Sequence, residues 1–148
     1  MAVRRPANAR RLRPGGEREE DKVSTSGKHT YLRTHEISGK VLRFRLSEED
    51  ERLREPAAAS KSGRAGKTLV KEGPLRITQV ALRKGTPLQG HQVAGAVSLL
   101  VQRGRFHLVT TEGTLALGAG EMVVLDAGVA HAAAAVTDCA ILITMAIS

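Results

Sequence analysis

The chain has 148 residues, 41% of them hydrophobic, a formal charge of +8, a single cysteine, one Tyr, two Phe and no Trp. That length suits one compact domain with a tail and is too short for two ordinary domains. One cysteine excludes an internal disulfide and any multi-cysteine zinc site, and so few aromatics leave almost no platform for stacking bases, so nucleic acid is not an expected partner despite the basic charge.

The charge is unevenly spread. Residues 1–65 hold 16 Lys/Arg against 10 Asp/Glu, whereas residues 66–148 hold 7 against 5. The first 16 residues contain five Arg and two Pro, and an acidic cluster follows at residues 17–21. With no apolar periodicity, residues 1–28 read as a disordered basic tail. No apolar run follows the arginines as a secretory signal requires, and no segment reaches the ~18 apolar residues that span a bilayer. No membrane partner is expected, and a lone thiol suits a reducing cytoplasm.

Residues 29–65 read as an N-terminal extension with an edge strand and a short helix. The strand is expected at Lys40–Leu46, where apolar and basic residues alternate imperfectly. Ser47 followed by Glu48, Glu49 and Asp50 has the chemistry of an N-cap and acidic first turn, and Pro56 places the helix end near Glu55. The Ala57–Val70 stretch reads as a flexible linker leading into a strand. Its Gly66-Lys67-Thr68 is not the end of a phosphate-binding loop, because Lys61 stands where that motif needs glycine.

From residue 66 onward the texture is short apolar runs punctuated by glycine turns. Leu75–Arg83, Ala96–Gln102, Arg105–Thr111, Thr114–Leu117, Glu121–Leu125 and Cys139–Ile147 are the predicted strands, at a spacing that argues for an all-β antiparallel barrel or sandwich over residues 66–148. The apolar final run would be an exposed edge hazard if left uncovered.

Two spacings stand out in this region. Gly85, His91 and Gly104 are separated by five and twelve residues; Gly120, Gly128 and His131 by seven and two. In that order they resemble the two motifs of small single-domain cupins, which implies a cupin-like jelly roll. Cupins with a complete site hold Fe, Mn, Ni or Zn through three histidines and a glutamate. Here only His91 and His131 match ligand positions; Val93 stands in the second histidine's place, Val97 in the glutamate's, and Asp126 where proline is usual. The resemblance thus implies a degenerate metal motif, with any divalent ion weakly held, and His91 and His131 as the ligand-binding or metal pair.

Four residues are candidates to complete the pair: His107, Glu121, Asp126 and Cys139. Strand alternation puts His107 beside Arg105 and opposite Phe106 and Leu108, hence outward. Glu121 and Asp126 sit in or beside turns, where carboxylates serve the backbone or the solvent. Cys139 lies among apolar residues as a small buried hydrophobe. If the strand alternates, Val93 and Val97 line the cavity on the side of His91, making it dry, and there a neutral imidazole offers one donor and one acceptor.

Three classes follow: a binding module that orients a small molecule through His91 and His131, a metal-dependent enzyme of dioxygenase or isomerase type with an incomplete two-histidine site, and a structural or dimerising scaffold. Enzymatic activity is left undecided, no catalytic residue is assigned, and a homodimer is expected from the way such barrels pair through their edges.

Overall fold

Alternation along the strands decides the architecture. The computed structural model describes residues 23–24, 30–32, 41–88 and 94–147. In chain order its elements are β1 (Val23–Ser24), β2 (Thr30–Leu32), α1 (Leu46–Ala59), β3 (Arg64–Glu72), β4 (Leu75–Leu82), β5 (Pro87–Leu88), β6 (Val97–Arg103), β7 (Arg105–Thr110), β8 (Gly113–Gly118), β9 (Met122–Leu125), β10 (His131–Ala135) and β11 (Cys139–Ala146). Two sheets form, ordered β1-β2-β3-β4-β11-β6-β9 and β5-β10-β7-β8. All pairings are antiparallel except β2 with β3.

Every second residue of these strands feeds one shared core. From the large sheet come Val80, Leu82, Val97, Leu99, Val101, Leu125, Cys139 and Ile141; from the small sheet come Phe106, Leu108, Ala133 and Ala135. The result is a two-sheet jelly roll, with its faces packed rather than hydrogen-bonded into a closed cylinder. All six predicted strands form. β10 escapes sequence reading because His131–Ala135 is mostly alanine, a residue depleted in strands.

The helix departs from expectation at both ends. Its N-cap is Arg45, with no side-chain cap bond, and Ser47 lies inside the first turn. Phe44 and Leu46 dock on Leu69 and Val70, so among residues 41–46 no strand forms beyond an isolated bridge at Leu42. The sheet ends on β1 instead, with β2 between it and β3. Of the expected disordered tail, Val23 and Ser24 form β1, and the rest lies outside the described residues. At the other end α1 continues through Pro56 to Ala59. Leu53 and Ala57 pack on Ala65 and Ala81 of the outer sheet face, and that burial outweighs the backbone bond proline forfeits. The Ala57–Val70 stretch is therefore helix, turn and strand rather than a flexible linker, and Gly66-Lys67-Thr68 lies within β3.

Polar ties fix the helix on the sheet. The Lys67 ammonium donates to Glu49 Oε1 at 3.1 Å with both side chains 2% exposed or less. Gln79 Nε2 donates to the Leu46 carbonyl at 2.9 Å and to Gln102 Oε1 at 2.8 Å. Arg103 donates through Nε to Asp50 Oδ2 at 2.8 Å and through Nη2 to Oδ1 at 3.2 Å.

The final strand is not an edge. β11 lies between β4 and β6, with ladders on both sides, so its apolar run is fully paired. The exposed apolar edge is β9, where Met122 and Val124 are 59% and 60% exposed.

Because the Lys67–Glu49 pair is dry, removing one partner takes a close opposite charge away from the other in a site water does not reach. Lys67→Met alone is expected to destabilise the fold by about 3–5 kcal/mol in urea denaturation, and Lys67→Met with Glu49→Leu to recover most of that loss.

Candidate functional site

His131 opens β10 after a tight turn. Asp126 Oδ1 accepts from the Ala127 amide at 2.9 Å, the Val129 amide returns to the Asp126 carbonyl at 3.2 Å, and Gly128 takes φ +78°. Gly85, Gly104 and Gly120, the other motif glycines, also have positive φ. The case is strictest at Gly104, where a Cβ would also collide with the Asp138 carbonyl. The glycine spacing thus records turns that side chains oppose.

In β10, His131 shares a side with the core residues Ala133 and Ala135 and pairs with Thr110 of β7, at the rim of the sandwich, half-buried. Its Nδ1–H donates to the Val129 carbonyl at 3.2 Å. A carbonyl only accepts, so Nδ1 is the donor in this contact, which orients the ring.

Across the core, Val97 is 4% exposed and packs with Leu125 and Met145. It stands at the carboxylate position of the motif and has nothing to ligate with. His91 and Val93 lie outside the described residues.

The four supplementary candidates go elsewhere. His107 is exposed on the outer side of β7, as alternation implied. Glu121 Oε1 accepts the Gly118 amide at 2.6 Å, closing a turn, and both Glu121 and Asp126 are exposed. Cys139 is fully buried, and desolvation, partly opposed by Arg103, pushes its thiol from 9.0 up to about 12. Among the described residues no three His, Cys, Asp or Glu side chains gather as a metal would need. Of the described motif positions, His131 offers an imidazole and Val97 no ligand atom, which by themselves do not make the four-ligand cupin centre.

The fold is similar to that of solved structures over about three fifths of the chain. A cupin superfamily protein from Desulfitobacterium hafniense superposes with a TM-score of 0.58 at 16% identity, covering 61% of this chain and 83% of that one. An RmlC-like cupin from Shewanella frigidimarina gives 0.56 at 21% identity, covering 59% and 78%. The fold is that of a cupin. Salicylate 1,2-dioxygenase from Pseudoaminobacter salicylatoxidans, solved with gentisate adducts, gives 0.60 at 22% identity, over 70% of this chain but only 32% of the enzyme. At these identities the likeness is one of fold, and a cupin fold hosts many activities. Neither a family model nor a curated protein matches the sequence. No helix among the described residues is long and apolar enough to cross a membrane.

Sequence reading missed Arg54, Arg83 and Arg103, which the cupin fold brings to a common cleft at the far end of the sandwich. No local signal links positions so far apart in sequence.

The raised Cys139 value sets a pH dependence. A thiol held neutral in the folded state stabilises it below the unfolded value near 9 and loses that contribution as pH rises toward about 12. Urea midpoints are expected to fall between pH 9 and 12 in the native chain, and to fall less in Cys139→Ala.

Proposed function

We propose that this cupin-fold chain is a binding module that holds a small molecule at the rim of its sandwich through His91 and His131, with a divalent metal (Zn, Mn, Fe or Ni) at most weakly held. The observation that carries the reading is the placement of His131, half-buried at the start of β10 with its Nδ1 held 3.2 Å from the Val129 carbonyl, while Val97 supplies hydrocarbon at the motif position where a complete cupin site has its carboxylate. β5, the strand immediately before the His91 segment, pairs with β10, which begins at His131. Imidazole nitrogens above an aliphatic interior suit a ligand with a hydroxyl or amide donor on a small apolar body.

Tag-free protein is expected to contain far less than one metal per chain by elemental analysis. Thermal shifts given by small hydroxy-aromatic probes such as phenol and catechol are expected to disappear in His91→Ala and in His131→Ala. Stoichiometric metal that both substitutions remove would favour a metalloenzyme instead.

A homodimer is proposed through β9. Among the described residues it ends its sheet and pairs on one side only, and its exposed Met122 and Val124 flank that edge. Antiparallel pairing with a second β9 is self-complementary about a twofold axis. Light scattering is expected to give a dimeric mass, and Val124→Lys a monomeric one; a monomeric native chain sinks this arrangement.

A further inference from the structure

A second concave surface lies at the opposite end of the sandwich from His131. Between the C-terminal half of α1 and the ends of β4 and β6, a small open cleft of about 80 Å³ is lined by Arg54, Ala57, Arg83, Arg103, Asp138 and neighbouring aliphatics. Its three guanidinium groups come from a helix, a turn and a strand end.

Two of them are held in place by one buried acid. Asp50, 4% exposed, accepts from Nε and Nη2 of Arg54 at 3.2 and 3.1 Å, and from Nε and Nη2 of Arg103 at 2.8 and 3.2 Å. The third, Arg83, donates Nη1 to the Ala58 carbonyl at 2.7 Å, at the C-terminal end of the helix. Asp138, the cleft's own carboxylate, accepts the Lys84 amide at 2.7 Å. After these bonds, Nη1 of Arg54, Nη1 of Arg103, and Nε and Nη2 of Arg83 make none to the described residues. Three cations line the space against two carboxylates, both already accepting hydrogen bonds.

Guanidinium forks match the paired oxygens of phosphate and carboxylate, and forks already locked by Asp50 lose little side-chain freedom when an anion arrives. Ala57, Ala81 and Leu82 supply the rest of the wall and no aromatic ring, so the surface recognises an anionic head rather than a base. We propose that this cleft binds a small oxyanion, the phosphoryl or carboxylate group of a metabolite, through Arg54, Arg83 and Arg103.

The test is calorimetric titration of the full chain with inorganic phosphate and, separately, with succinate, at ionic strength held constant by chloride. One saturable site per chain for either anion is expected; phosphate alone identifies a phosphoryl site, succinate alone a carboxylate site. Arg83→Gln should weaken that binding at least tenfold. Ala58→Glu, on an exposed helical position beside Arg83 and one turn from Arg54, should abolish it by placing a carboxylate among the guanidinium groups, with circular dichroism and melting temperature confirming both folds. No saturable binding of either anion, or binding that survives Ala58→Glu in a folded protein, overturns the proposal.

Discussion

Asp50 sits where helix, sheet and cleft meet. Its buried carboxylate takes Arg103 from the end of β6 and Arg54 from the next helical turn, which pins α1 to the sheet and fixes the spacing of two of the cleft's cations. A carboxylate this dry is tolerable only with its oxygens engaged, so its placement is demanding. Burial of Leu53 and Ala57 supplies the adhesion; Asp50, with the Lys67–Glu49 pair and Gln79, supplies the register. Hydrocarbon contact alone would let the helix slide along the alanine-rich sheet face.

The same division runs through the sandwich. Alternation in β4, β6, β7, β10 and β11 sends one set of side chains inward, so the interior is filled by Val, Leu, Ile, Ala and Phe106. At the rim the pattern changes, and β10 begins with an imidazole instead of another alanine. That single exchange, with its Nδ1–H anchored on Val129, makes one end of an apolar body chemically addressable. At the other end the strands finish in arginines and the helix brings a third. The two ends offer different chemistry: an imidazole in one place and fixed positive charge in the other.

Much of this was legible in residue order. The six apolar runs read as strands, the motif glycines marked turns that adopt positive φ, and His107 was placed outward by alternation. Errors clustered where local preference met packing. Pro56 is a poor helix residue, yet α1 runs through it because Ala57 is buried beyond. The alanines of β10 carry no strand preference, but ladders with β5 and β7 hold them extended on either side. β11 looks like an edge hazard as a string of aliphatics and is harmless as a central strand.

By itself, the sequence determined a predominantly β jelly roll of cupin type and the turns that punctuate it, because alternation and glycine conformations are properties of neighbouring residues. Only the tertiary structure decided that His131 is oriented by Val129, that α1 is riveted through Asp50, and that Arg54, Arg83 and Arg103 share one cleft. Those facts depend on which distant segments the chain brings together, and the convergence of charge across separate elements leaves no periodic trace along it.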